Sequence, residues 1–147
     1  MRLASLLGIS VLPLLTGCVI EVQDVSSSNG NNHYEVYNDA PVIDYADAGC
    51  YWDNYNRDYI WWFEADVFDS DGYGDVAAVY ADLFDSNGHW VDGFELFQET
   101  PAPELWFSDW LELSTYLDCS WGDYIVEFTA YDWSDAYDNV SVVPYYY

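Results

Sequence analysis

Lysine is absent from this sequence, and two arginines, Arg2 and Arg57, face 27 acidic side chains over 147 residues. Phosphate contacts depend on Lys and Arg, so a net charge of −25 excludes nucleic acid as a partner. The same imbalance argues against direct attraction to anionic lipid headgroups. Histidine is nearly missing as well. His33 lies at the edge of a linker and His89 beside a turn, which leaves Ser-His-Asp or Cys-His catalysis little to build on. Neither a glycine-rich phosphate loop nor a two-histidine zinc motif occurs. No apolar run reaches the roughly 20 residues a spanning helix needs. What is abundant is apolar and aromatic mass. The chain is 52% hydrophobic, with 8 Trp and 15 Tyr. That amount supports a packed core and is at odds with the disorder so high a charge would otherwise suggest.

Residues 1–18 read MRLASLLGISVLPLLTGC. Arg2 is a short positive start, and Leu3 to Leu15 is an apolar stretch of the size of a signal-peptide core. Leu15-Thr16-Gly17-Cys18 resembles the lipobox of bacterial lipoproteins: Leu, a small residue, Gly or Ala, then Cys. The resemblance implies a signal peptide over 1–17, a diacylglycerol on the Cys18 sulfur, and acylation of the amino group freed by cleavage. Several acyl chains hold a protein on a bilayer where one binds marginally. Val19 follows the cysteine, whereas Asp there would resemble the inner-membrane retention signal, so the outer membrane is the expected location. An ordinary secretory signal with a chance cysteine is the rival.

Residues 18–40 then form a tether. Its Ser26-Ser27-Ser28-Asn29-Gly30-Asn31-Asn32 stretch is flexible by composition. From Pro41 to Tyr147, alternation of apolar and polar residues predicts half-buried antiparallel strands. Trp61, Phe63, Ala65 and Val67 share one face; Val79, Ala81 and Leu83 share another; so do Tyr124, Val126, Phe128 and Ala130. Turn signals at Asp69-Ser70-Asp71-Gly72 and Asp85-Ser86-Asn87-Gly88 separate these runs. The strands are expected near 42–46, 59–68, 75–84, 89–97, 104–113, 123–132 and 138–145.

The run Gly122-Asp123-Tyr124-Ile125-Val126-Glu127-Phe128-Thr129-Ala130-Tyr131-Asp132, followed by Asn139-Val140-Ser141-Val142, resembles the last two strands of bacterial Ig-like and polycystic-kidney-disease-type domains. Asp69-Ser70-Asp71-Gly72 resembles the turn after their second strand. The likeness covers about half of the domain and implies a single all-β, Ig-like sandwich of about seven strands. These motifs mark a fold and leave function open.

Once Cys18 is lipidated, Cys50 and Cys119 remain as an even pair in an oxidising compartment. They fall in the first-to-second and fifth-to-sixth strand connections, which share one end of an up-and-down sandwich, so a disulfide is expected. Metal binding by the two is the rival, but they lack a Cys-x-x-Cys spacing and nearby histidines.

Two candidate sites follow. Asp69, Asp71 and Asp75 in one loop and Asp132, Asp135 and Asp138 in another share the opposite end of such a sandwich, where converging carboxylates could chelate Ca2+. A cation there would relieve charge self-repulsion. The rival is a pair of ordinary solvated turns. The second candidate is an outward face bearing Tyr80, Asp82 and Phe84 beside Glu127, Thr129 and Tyr131. Aromatic rings flanked by carboxylates, with Tyr80, Asp82, Glu127 and Tyr131 as contacts, suit a glycan or a surface protein. A strand or tail covering that face is the rival there. A glycosidase uses two carboxylates, but among 27 acids chance proximity is expected. The expectation is a lipid-anchored, non-catalytic binding or structural protein. A calcium-assisted adhesin or glycan-binding module and a carboxylate-based hydrolase are its alternatives.

Overall fold

Nothing in the chain from Pro41 onward favours helix, and the computed structural model, which describes residues 37–147, is built almost wholly of strands. The lipobox, Cys18 and the linker up to residue 36, His33 included, lie outside the described residues. The strands are β1 (Val42–Asp53), β2 (Asp58–Phe68), β3 (Val76–Phe84), β4 (Trp90–Gln98), β5 (Leu105–Leu111), β6 (Ile125–Asp132), β7 (Tyr137–Val142) and β8 (Tyr145–Tyr146). Among the described residues a single 3-10 turn spans Glu112–Ser114. Among the described residues no helix is long and apolar enough to cross a membrane.

The strands form one curled sheet in the order β7-β6-β3-β4-β5-β2-β1-β8. The curl closes through a short contact, in which β4 and β5 pair only at Phe97↔Phe107 and Gln98↔Trp106. On either side of it the sheet folds back, so that β1 lies against β6 and β7 across the core. The result is the all-β sandwich expected from the alternation. Trp61, Phe63, Ala65 and Val67 of β2, Val79, Ala81 and Leu83 of β3, and Val126, Phe128 and Ala130 of β6 are all buried, as the period of two requires. Aromatic rings dominate this interior. Trp61 meets Tyr124 edge-on at 5.6 Å and Tyr146 at 5.9 Å, while Phe63 stacks on Phe94 at 4.9 Å. Truncating a fully buried Trp such as Trp61 to Ala costs about 3–5 kcal/mol.

Three boundaries differ from expectation, each for a local reason. β1 runs to Asp53 and not to 46, because β2 pairs with it over its whole length, from Val42↔Phe68 to Asp53↔Asp58. Trp52 packs edge-on against its cross-strand partner Tyr59 at 5.1 Å and seals that hairpin. Second, β5 stops at Leu111, where the chain turns into the 3-10 segment. Third, the last expected strand is two: buried Pro144 interrupts it, and β8 then pairs in parallel with β1 at Gly49↔Tyr145 and Cys50↔Tyr146. The sandwich thus has eight strands where about seven were expected. In the β3–β4 hairpin Gly88 takes the left-handed conformation, at φ +79°.

The cysteines meet as expected, with one correction. Cys50 sits inside β1 opposite Trp61, not in the connection after it, and it is joined to Cys119 in the β5–β6 connection with Cα atoms 6.0 Å apart. The bridge spans a sequence separation of 69 residues. Closing a loop that long contributes about 4 kcal/mol by limiting the unfolded chain.

Candidate metal centre

The β2–β3 loop folds as two successive turns. Gly72, at φ +114°, lets its N–H reach the Asp69 carbonyl at 3.0 Å, and the Asp75 N–H then reaches the Gly72 carbonyl at 2.8 Å. Asp69 Oδ1 accepts the N–H of Asp71 at 2.8 Å, which tightens the first turn. This double turn returns Asp75 to Asp69 and places one carboxylate oxygen from each of Asp69, Asp71 and Asp75 within 4.8 Å of the others. Ca2+ binds oxygen at 2.3–2.6 Å, so two ligands on opposite sides of one ion stand about 5 Å apart. The spacing fits.

The hydrogen-bond inventory of these oxygens is uneven. Asp69 is 1% exposed, yet its Oδ2 has no hydrogen-bond partner. Asp75 Oδ2 is likewise buried and unpartnered. An ionised oxygen buried without donors is costly, and a bound cation or a proton would relieve that cost. Burial, together with the charges of Asp69, Asp132 and Asp71, raises the pKa of Asp75 above the ordinary carboxylate range.

Asp132 ends β6 directly opposite Val76, the first residue of β3, which explains its influence on Asp75. It is itself buried and well supplied. Oδ1 accepts the N–H groups of Ser134 at 2.7 Å and Ala136 at 2.9 Å, and Oδ2 accepts the Asn38 amide. Burial alone would raise its pKa, but the Asn38, Ala136 and Ser134 bonds outweigh that and hold it low. Trp133 then ties the two loops together, donating its indole N–H to the Gly74 carbonyl at 3.1 Å.

Of the six aspartates singled out from the sequence, three converge here, and Asp132 borders them as a nearby charge with both of its oxygens hydrogen-bonded. Asp135 and Asp138 do not belong to the cluster of converging carboxylates. Asp135 is exposed on a left-handed turn at φ +65°, and Asp138 Oδ2 accepts the Ile43 N–H at 2.9 Å, which fixes the start of β1. Three residues with no sequence signature complete the surroundings. Asn38 bonds to Asp132, the Asp39 N–H donates to Asp71 Oδ2 at 2.9 Å, and Ser70 Oγ donates to Asp39 Oδ2 at 2.8 Å. Asn38 and Asp39 belong to the stretch read as linker, and nothing in the composition there separates them from it.

The second candidate face has the anticipated register. Tyr80 pairs with Thr129 and Asp82 with Glu127, so these side chains of β3 and β6 lie side by side, although Thr129, expected on the open face, is buried. Tyr80 and Tyr131 meet edge-on at 6.3 Å, and Tyr137 of β7 extends the aromatic row at 5.7 Å from Tyr131. Asp82 is partly committed, since its Oδ1 accepts the Trp90 indole N–H at 2.8 Å. Sequence reasoning missed Trp90 because nothing in β4 marks its indole as reaching across to β3. His89, the histidine in the described residues, sits 3.2 Å from Asp85 in the hairpin turn. Comparison with protein-family models, with curated proteins and with solved structures finds no match to this chain.

Proposed function

We propose that this chain is a lipid-anchored, extracytoplasmic binding protein whose sandwich is stapled by Ca2+ at the β2–β3 end. Cys18 carries the anchor, on the outer membrane, and the role is binding or structural, not catalytic. The observation that supports the calcium reading best is the pair of buried, unpartnered oxygens, Asp69 Oδ2 and Asp75 Oδ2, beside the Asp71 carboxylate. Asp69, Asp71 and Asp75 would hold the ion, with Asp132 adding charge from the facing loop. Ca2+ suits such a site better than Mg2+, because it accepts irregular sets of six to eight oxygens.

Thermal unfolding of the purified full chain in Ca2+, in Mg2+ and in chelator tests this. The expected result is a Ca2+-specific rise in Tm. At a hundredfold excess over Kd, binding stabilises the fold by about 2.7 kcal/mol. Asp69→Asn combined with Asp75→Asn is expected to abolish that rise. Equal small shifts from both cations would mean charge screening and would end the calcium reading. The anchor has a separate test: Cys18→Ser is expected to release the protein from membranes, and tight retention of that variant would overturn the lipoprotein assignment.

The aromatic row of Tyr80, Tyr131 and Tyr137 favours a glycan as a second ligand, with Asp82 and Glu127 accepting hydroxyl hydrogen bonds. Loss of glycan-array binding in the Tyr80→Ala, Tyr131→Ala double variant is the expected outcome. A screen on generic glycosides separates this binding role from a carboxylate-based hydrolase.

A further inference from the structure

The seam where the sheet curls leaves part of the β5 edge without a strand opposite it. β5 is paired with β2 along its length, from Asp66↔Leu105 to Ile60↔Leu111, but with β4 only at Trp106 and Phe107. Backbone directions alternate along a strand. The Glu104 carbonyl accepts the Val67 N–H on the β2 side, while the Leu105 carbonyl accepts the Glu99 N–H on the β4 side. By that alternation Phe107, Asp109 and Leu111 point their N–H and C=O groups away from β2. Phe107 uses its groups in the short β4 contact. Asp109 lies beyond the last β4 pair and has no strand opposite it on that side.

A groove follows this edge. It holds about 410 Å³ and runs between Phe97, Glu99, Phe107, Ser108, Asp109 and Trp110. A second hollow of about 200 Å³ shares Asp109 and Trp110 with it and is lined also by Asn56, Ile60 and Leu111. The groove is open, and its aromatic wall is accessible, with Phe97 59% and Trp110 38% exposed. Ser108 Oγ is buried there without a hydrogen-bond partner. Its charged lining, Glu99 and Asp109, is purely acidic, on a protein of net charge −25.

We propose that the free edge of β5 takes up an extended, cationic peptide as an added strand. The Asp109 backbone offers one donor and one acceptor in strand register, Phe97 and Trp110 receive apolar side chains, and Glu99 and Asp109 select basic ones. Charge complementarity decides the occupant. A second copy of this chain would bring another −25 to the same acidic edge, whereas a basic strand is attracted to it. The proposal is independent of the cation site, which lies beyond the other end of β2.

The test uses the purified full chain and a fluorescent peptide of alternating lysine and valine, read by anisotropy. A matched peptide, N-methylated on the residues that would face β5, carries the same charge without the strand donors. Binding of the parent peptide at least about tenfold tighter than the methylated one is expected. Asp109→Pro removes the outward N–H while leaving the β2 ladder intact, and is expected to cause a similar loss. Asp109→Asn keeps that N–H and is expected to weaken binding only a few-fold. Equal affinity for the two peptides would mean simple charge attraction and overturn the proposal. So would no binding of either peptide, or concentration-dependent dimerisation that Asp109→Pro abolishes. If Asp109→Pro fails to fold, the methylated peptide alone decides.

Discussion

The turns Asp69-Ser70-Asp71-Gly72 and Asp85-Ser86-Asn87-Gly88 are near copies in sequence and flank β3 at its two ends. Their backbones agree closely. In each, the Gly N–H returns to the first Asp carbonyl, at 3.0 Å and 2.9 Å, and the first carboxylate accepts the N–H two residues on at 2.8 Å. The electrostatic outcomes are opposite. Asp85 also receives the His89 N–H at 2.9 Å, and its second oxygen lies 3.2 Å from the His89 ring. Those bonds, led by the His89 and Asn87 backbone N–H groups, hold its pKa down to about 2. Asp69 has the same first bond, but its second oxygen is buried without a donor, and burial together with the neighbouring carboxylates raises the pKa of Asp75. One turn is electrically complete; the other has room for a cation. The difference comes from the partners beyond the turn, with His89 at one end and Asp71, Asp75 and Asp132 at the other.

The end that is already complete should ignore cations. Trp121 and Tyr124, just after Cys119, line a hollow with Asp85 and Asn87, so the disulfide reinforces this end. Cys50→Ala with Cys119→Ala is expected to lower stability by about 4 kcal/mol in urea unfolding, by the same amount with Ca2+ or chelator. A loss that Ca2+ reverses would show the two ends to be coupled.

Next in size is a substitution that makes the two turns more alike. Asp71→Asn converts the first turn to the composition of the second and removes one ligand charge. The Ca2+ needed for half of the Tm rise is expected to increase about tenfold. Asp85→Asn should leave that midpoint unchanged and lower Tm by a few degrees with or without Ca2+. If Asp85→Asn moved the Ca2+ midpoint as far as Asp71→Asn does, the distinction between the turns would fail.

The smallest effect is in the pH profile. The folded-state pKa of Asp75 is raised, so in chelator the folded form takes up a proton before the unfolded form does. That part of the stability therefore grows as pH falls from neutrality toward the ordinary carboxylate range. Asp85 runs the other way: its contribution is full above about pH 4 and is lost as pH falls through about 2. Asp75→Asn should remove the first trend and Asp85→Asn the second, in Tm measured against pH. In chelator, Asp75→Asn is also expected to raise Tm near neutrality; in saturating Ca2+ it is expected to lower it.

Much of the sandwich was legible because burial on one face imposes a period of two. Trp61 to Val67 and Val79 to Leu83 show that period without interruption, Tyr124 to Ala130 breaks it only at buried Thr129, and the adjacency of β3 and β6 followed from strand order. β1 beyond Ala46 was not legible, because Tyr51 and Trp52 are exposed and their place is set by β2 alone. β8 is too short to show any period. In the candidate site, Asp69, Asp71 and Asp75 were readable from the Asp-x-Asp-Gly turn, and Asp132 from topology. The unpartnered state of Asp69 Oδ2 was not, because it depends on burial by residues far away in sequence. For the same reason Asn38 and Asp39 looked like linker: their partners are 94 and 32 residues distant.

Those two residues also set how the domain bears load. A pull arriving from the N-terminal side does not reach β1 directly. It passes first through the Asn38 amide into Asp132, at the end of β6 where the β6–β7 loop begins, and through the Asp39 N–H into the β2–β3 loop at Asp71. A third bond, Ile43 N–H to Asp138, takes up force at the start of β1. Tension is therefore divided between two loops joined by the Trp133–Gly74 bond before any strand is sheared. An ion clamped among Asp69, Asp71 and Asp75 would harden the first mechanical element in that line.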